Sequence, residues 1–246
     1  MVAAGSEHIP GKPGRLTKAL TRLWMKPATV TANEQLGERF RLITLEGPAL
    51  EGVAWLPGQK VQIAMGSAFV TRTYTPIDWD ASTGRMRILG YAHGDGPGSA
   101  WLRTALPGAE CDIFGPRTSL DISSLPGPLV IVGDETAIGL AYAATHQDRS
   151  RPVSSTLEVE DNDSARHVSA HLGLRNVAMF SKSRDDAHIV AMDAALSEGL
   201  AAGASFVLAG KAGTIQRLRQ TLKQQKSPPT HVITKAYWAP GKTGLD

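Results

Sequence analysis

Residues 69–77 read Phe69-Val70-Thr71-Arg72-Thr73-Tyr74-Thr75-Pro76-Ile77. β-Branched and aromatic residues dominate the run, which predicts a strand over Thr71–Asp78. Side chains alternate across a strand, so Arg72 and Tyr74 share one face and Thr73 and Thr75 the other. A guanidinium offers forked donors to a phosphate, and a phenol ring offers a flat stacking wall. Side by side they make a seat for a flat, anionic ligand. The same four residues also suit an ordinary strand with a surface arginine and a packed tyrosine, so the surrounding chain has to decide.

Upstream, Leu56-Pro57-Gly58-Gln59 leads into a predicted strand at Lys60–Met65. Further strands are expected at Ala28–Ala32, Phe40–Glu46, Arg85–Ala92 and Glu110–Phe114. Glu46-Gly47-Pro48, Leu56-Pro57-Gly58 and Ser82-Thr83-Gly84 are the turn signals between them. Six antiparallel strands with one helical insertion fit a small closed barrel. The insertion, Ser99 to Leu106, follows His93-Gly94-Asp95-Gly96-Pro97-Gly98. Glycines there let backbone approach a ligand, Ser99 is a good helix cap, and a helix N-terminus seats a pyrophosphate. A glycine-rich turn with nothing bound has the same composition.

Past Leu125-Pro126-Gly127-Pro128 the pattern changes. Leu129-Val130-Ile131-Val132-Gly133 is a continuous apolar strand of the kind buried in a parallel sheet. Strands at Val153–Val159, Asn176–Phe180, Ser205–Ala209 and His231–Lys235 then alternate with helices. The helices are expected at 137–146, 163–172, 185–199 and 214–226. This alternation predicts a βαβ unit. The chain therefore divides into an N-terminal leader and short helix (1–25), a β-barrel domain (26–125) and an α/β domain with a C-terminal tail (126–246).

Composition bounds the functions open to it. The 246 residues are 42% hydrophobic and 20% charged, as in globular proteins with sizeable cores. A net charge of +3 is too small to point to nucleic acid. One cysteine, Cys111, excludes an internal disulfide, a cysteine-rich zinc site and a cysteine-ligated iron–sulfur cluster. His167 and His171 are four apart on a predicted helix, without a third ligand nearby, so no metal site is expected. No stretch reaches about 18 apolar residues, and the N-terminus lacks the apolar core of a signal peptide. A cytoplasmic monomer without membrane contact is expected.

Ligands of an open parallel sheet bind beyond the carboxyl ends of its strands. The first such end here is Gly133-Asp134-Glu135-Thr136-Ala137. Gly133 relieves crowding and Thr136 can donate to a phosphate, while the two acids repel one unless turned away. This segment resembles the Gly-Asp-Glu-Thr-Ala of the siderophore-interacting proteins, a branch of the ferredoxin-reductase-like flavoproteins. Other pieces match that branch in order. They are Arg72-x-Tyr74-Thr75, His93-Gly94-x-Gly96-Pro97-x-Ser99-x-Trp101, Pro107-Gly108, Gly115-Pro116-Arg117 and Tyr237-Trp238-x-x-Gly241. The resemblance spans residues 26 to 241. Lys211, where the family usually has an acid, and Ala239, where it usually has a basic residue, depart from the pattern.

The resemblance implies FAD in the first domain and a nicotinamide dinucleotide in the second. Hydride would pass from nicotinamide to flavin, and single electrons from flavin to a ferric siderophore or other ferric chelate. Fe(II) is held more weakly than Fe(III) by hard oxygen ligands, so reduction loosens the complex. It also implies roles. Arg72 and Thr73 bind the flavin, Tyr74 stacks on its ring and Thr75 lies near its reactive edge. His93, Gly96, Gly98 and Ser99 line its pyrophosphate, and Tyr237 and Trp238 cover the other face. Gly133, Asp134, Thr136 and Gly210 hold the dinucleotide.

Two features bear on which dinucleotide is used. Glu158, Glu160 and Asp161 end the second strand of the α/β domain, where acids favour the ribose diol of NADH. Ser181-Lys182-Ser183-Arg184 follow the third, and Ser181 and Arg184 are good chemistry for the 2′-phosphate of NADPH. The balance leans slightly to NADPH. Arg117, Lys235 and Lys242 make a basic rim for an anionic ferric chelate. Two other functions fit the same motifs less fully. One is an NAD(P)H:flavin reductase with diffusible flavin; the other is a non-catalytic siderophore-binding protein.

Overall fold

The computed structural model describes residues 25–65 and 71–242. The expected leader and helix before residue 25, and Phe69-Val70 of the opening run, lie outside the described residues. Two sheets make up the fold. The first is antiparallel and has seven strands, not six: β1 (Lys26–Gln35), β2 (Phe40–Glu46), β3 (Lys60–Ala64), β4 (Thr71–Tyr74), β5 (Pro76–Asp80), β6 (Arg85–Tyr91) and β7 (Glu110–Arg117). Their order is β4-β3-β7-β1-β2-β6-β5.

The extra strand comes from the run around Arg72 and Tyr74. The single strand expected over Thr71–Asp78 is two strands, β4 paired with β3 and β5 paired with β6. Proline has no N–H to give a ladder, and Pro76 sits at the first position of β5, where that loss is tolerated. Thr75 is thus a corner joining the two edges of the sheet through the chain. Among the described residues hydrogen bonding does not close the circle, so the sheet is barrel-like and open rather than the closed barrel expected.

The helix of this half, α1, spans Pro97–Thr104. Its cap is Gly96 with Pro97 at the first position, and no side chain caps it. Ser99 is therefore not the cap expected from sequence; it lies buried in the first turn, its hydroxyl donating to the His93 carbonyl at 2.9 Å. Leu102 of α1 packs with Val30, Ile43, Val61, Ile63 and Ile113 in the core of the first sheet.

The second sheet is parallel, with β8 (Leu129–Asp134), β9 (Val153–Val159), β10 (Val177–Ser181), β11 (Ser205–Lys211) and β12 (Val232–Trp238) in the order β10-β9-β8-β11-β12. Helices α2 (Ile138–Gln147), α3 (Asn162–His171), α4 (Ala187–Ala195), α5 (Ser197–Ala201) and α6 (Ala212–Gln224) connect them. The one helix expected over 185–199 is two. The chain tightens at Leu196, whose N–H donates to the Asp193 carbonyl three residues back, and the Ser197 hydroxyl takes up the Ala194 carbonyl.

β8 is apolar throughout because both its faces are covered. Val130 and Val132 face Ile189, Met192 and Leu218, whereas Leu129 and Ile131 face the other core. That second core is continuous with the first sheet, holding Phe40, Leu42 and Ile77 together with Ile138 and Leu157. A Cβ on Gly139 of α2 would come within 2.9 Å of Ile77, so the helix lies directly on β5. Arg87 adds a polar joint, with Nε donating to Asp78 at 2.8 Å and a terminal nitrogen reaching the Tyr142 hydroxyl of α2 at 3.2 Å.

Candidate functional site

A cleft of about 290 Å³ opens between the carboxyl ends of the second sheet and strands β3 and β4 of the first. Thr71 to Thr75 run along one wall. His93, Gly96, Gly98 and Ser99 contribute the start of α1, and Lys235, Tyr237 and Trp238 of β12 form the opposite side. Thr136 and Lys242 complete the sequence-derived residues that the fold brings here.

The cleft lining combines an aromatic wall with basic side chains. Burial raises the Tyr74 phenol above its ordinary value, with Arg72 pulling the other way, so Tyr74 is a neutral wall. Trp101 backs it at 6.0 Å between ring centres. A Cβ on Gly98 would stand 3.1 Å from Arg72 Cγ and 3.3 Å from the Tyr74 hydroxyl, so a glycine keeps α1 close to both. Space beside Gly94 and Gly96 is open. Arg72, Lys60 and a helix start without a side-chain cap line the same cleft, one guanidinium nitrogen of Arg72 donating to the Thr71 carbonyl at 2.8 Å. That donor set fits a diphosphate attached to an aromatic ring system.

Two aromatic residues from the end of β12 face this wall. Thr75 donates its hydroxyl to the Tyr237 oxygen at 3.3 Å. Trp238 lies 4.8 Å from the His93 ring, which itself stacks near Tyr91 at 6.3 Å. Burial pushes the Tyr237 phenol up to about 12.

Other sequence-derived residues lie behind the cleft. Asp134 is wholly buried and accepts from the Thr136 N–H at 2.9 Å, the Lys211 N–H at 2.8 Å and the Trp238 indole N–H at 2.6 Å, as well as from the Thr136 hydroxyl. These bonds tie the strand ends together. Gly133 and Gly210 have packing reasons. A Cβ on Gly133 would fall 1.9 Å from the Ala209 carbonyl, and one on Gly210 2.7 Å from the Asp134 carboxylate. Arg117 does not join Lys235 and Lys242 at the cleft: its guanidinium lies over the Phe114 ring at 4.7 Å, with two of its nitrogens buried.

The acids expected to select a ribose diol are all engaged elsewhere. Glu158 is fully buried, bonded to His188 Nε2 at 2.9 Å and to the Thr214 hydroxyl at 2.7 Å. Glu160 pairs with Arg39 in the turn between β1 and β2, and Asp161 caps α3 by accepting from the Ser164 N–H. Glu135, the second acid of the motif, is turned inward too, accepting the Glu160 N–H at 2.6 Å and the Lys182 ammonium at 2.8 Å. His188 Nδ1 in turn accepts the Ser183 N–H at 3.0 Å and shapes the 181–184 loop.

Lys60, Gln62, Tyr91 and Ser119 also line the cleft, and sequence reading did not single them out. The alternation of β3 put Lys60 and Gln62 on one face, which was the one available signal. The approach of Tyr91 and Ser119 depends on how the sheet curls.

The antiparallel sheet followed by the parallel sheet is the fold of ferredoxin-reductase-like proteins. Residues 60–120 match the family model of the siderophore-interacting FAD-binding domain. The match covers about a quarter of the chain and includes Arg72, Tyr74, Thr75 and the start of α1.

It is 25% identical over 194 residues to the NADPH-dependent ferric-chelate reductase of Escherichia coli, covering 76% of this chain and 70% of that protein. It is 26% identical over 234 residues to the mycobactin import ATP-binding/permease protein IrtA of Mycolicibacterium thermoresistibile, covering 87% of this chain and 25% of that protein. The chain thus spans only about a quarter of the transporter.

The fold is shared with a siderophore utilization protein from T. fusca, at a TM-score of 0.67 and 19% identity over 90% of this chain and 95% of that one. It is shared also with the ferredoxin reductase of carbazole 1,9a-dioxygenase, at a TM-score of 0.71 and 18% identity over 87% and 69%.

Proposed function

We propose that this chain is an FAD-dependent ferric-chelate reductase, drawing electrons from NAD(P)H and passing them to a ferric siderophore. The observation that carries it is the cleft itself. Arg72, Tyr74 and Thr75 of the domain matched to FAD binding face the carboxyl ends of a parallel nucleotide-type sheet across a single opening. Bound FAD would supply the conversion of a two-electron hydride donor into two one-electron deliveries.

The protein's part is to position and shield. Arg72, Lys60 and the start of α1 neutralise a diphosphate, while Tyr74 and Tyr237 supply apolar walls and exclude water. Thr136 stands at the dinucleotide side of the opening, and Lys235 and Lys242 give its rim a positive field toward an anionic chelate. With Glu158, Glu160 and Asp161 occupied, the 181–184 loop is left to meet the 2′ position, which supports NADPH. Division near residue 125 into an FAD-binding and a dinucleotide-binding domain, a monomeric state and a cytoplasmic location complete the proposal.

The test is absorbance. Protein incubated with FAD and desalted should keep a flavin band that NADPH bleaches without oxygen and a ferric chelate restores, with Fe(II) trapped by a chromogenic chelator. Absence of a retained band at saturating FAD would overturn the proposal.

A further inference from the structure

Asp134 accepts hydrogen bonds from four donors. One oxygen takes the Thr136 N–H and hydroxyl; the other takes the Lys211 N–H at the end of β11 and the Trp238 indole N–H at the end of β12. One carboxylate therefore ties together the carboxyl ends of β8, β11 and β12. Space is reserved for it. Gly210 has a φ of 127°, and a Cβ there would come within 2.7 Å of the carboxylate. The tie also crosses between the sheets, because the Trp238 ring meets His93 at 4.8 Å, beside the start of α1.

β12 is an edge strand with β11 as its one neighbour in the sheet. Its last residues are laddered on one side only, Trp238 standing opposite Lys211 past a register shift, so side-chain anchors add to that ladder in fixing Tyr237 and Trp238. An indole nitrogen only donates, and its anchor must be an acceptor. Asparagine in place of Asp134 would turn an N–H₂ group toward donors already aimed at that point, losing bonds on one side.

We propose that Asp134 is a positioning residue for the flavin seat. Through Trp238 it holds the aromatic pair across the cleft, against Thr75 and His93, and so sets how fast a bound flavin escapes. This rests on the flavin reading above. The two glycines and the buried acid of the strand ends thereby acquire a shared purpose, which is to present the cover rather than to touch the dinucleotide.

The experiment compares Asp134→Asn, Trp238→Phe and the double variant. In FAD-free protein, subtracting the emission of Trp238→Phe from the native emission isolates Trp238, and Asp134→Asn should shift that component. In FAD-loaded protein, release is followed by the rise of flavin fluorescence after dilution. A hydrogen bond to a charged group corresponds to roughly tenfold or more in a rate. Each single variant should release FAD about tenfold faster, and the double variant no faster than either, because both remove one link.

Independent, multiplying effects would overturn the proposal, as would native release rates with unshifted Trp238 emission. Trp238→Phe leaves the carboxylate its bonds to Lys211 and Thr136, so it carries the test even where Asp134→Asn folds poorly. Native FAD release from Trp238→Phe also overturns the proposal. A native protein that retains no FAD overturns the flavin reading and this proposal with it, whereas retention with uncoupled variants overturns this proposal alone.

Discussion

The Thr75 hydroxyl donates to the Tyr237 oxygen at 3.3 Å, joining the corner of the first sheet to the edge strand of the second. The bond sits where the chain crosses between the two edges of one sheet, opposite the last strand of the other. It pulls the Tyr237 phenol down, against the larger effect of burial.

Burial holds the Tyr237 phenol at about 12 against an ordinary value of 10.0. The folded state therefore keeps this proton more tightly than the unfolded chain. Its stabilising contribution is complete below pH 10 and is lost as pH rises from 10 toward 12, by up to roughly 2 kcal/mol. Urea midpoints measured from pH 8 to 11 should fall at the alkaline end, and Tyr237→Phe should flatten that fall. An identical profile for the variant would exclude Tyr237 as its source.

Cys111 follows the same sign. Burial first, and Asp112 second, push its thiol up to about 12 from 9.0. The thiolate is the reactive form, so the folded protein should resist a thiol-directed reagent at pH 8, and urea-unfolded protein should react at once. Equal rates in both states would contradict the burial of this side chain.

Arg72→Ala should weaken FAD retention by about 10- to 100-fold, the range for losing a charged hydrogen-bond donor. Far-ultraviolet circular dichroism should be unchanged, because Arg72 lies on the edge strand β4 and only partly buried. Equilibrium dialysis measures the affinity. An unchanged dissociation constant would remove Arg72 from the flavin seat.

His188→Ala leaves the Glu158 carboxylate buried with Thr214 as its remaining hydrogen-bond partner. Breaking a buried pair from one side costs about 3 kcal/mol, so the thermal midpoint should drop by several degrees. The freed Ser183 N–H should also loosen the 181–184 loop, weakening 2′,5′-ADP binding in titration calorimetry more than 5′-ADP binding. Equal losses for both nucleotides would show that the loop does not meet the 2′-phosphate.

Gly210→Ala forces an L side chain into φ 127° and onto the Asp134 carboxylate. Backbone strain of this kind costs about 1–3 kcal/mol, before the displaced carboxylate is counted. Chemical denaturation should show at least that loss. A neutral outcome would mean that Asp134 moves away freely and anchors nothing.

Much of the architecture was legible because local patterns report local physics. Phe40–Glu46 and Val153–Val159 end where turn residues end them, and the unbroken apolar run of β8 announced a strand covered on both faces. Pro76 is a local signal for the break at Thr75, but the residues on either side of it have strand composition, so the run reads as one strand. Which neighbour each half pairs with is a long-range choice. The site was readable where it runs along one strand, as at Arg72 to Thr75, and less so where distant segments meet, as at Lys60, Tyr91 and Ser119.

The acids show the division most sharply. From sequence, Glu158, Glu160 and Asp161 all stand where a ribose would be met, and Asp134 stands at a nucleotide loop. The sequence alone determined the two sheet types, their order along the chain and the flavin-type motif, because periodicity and turn chemistry act between near neighbours. Tertiary structure decided what each acid does. A buried carboxylate must find donors wherever the fold supplies them, and His188, Thr214, Lys211 and Trp238 reach theirs only once the strands have been brought side by side.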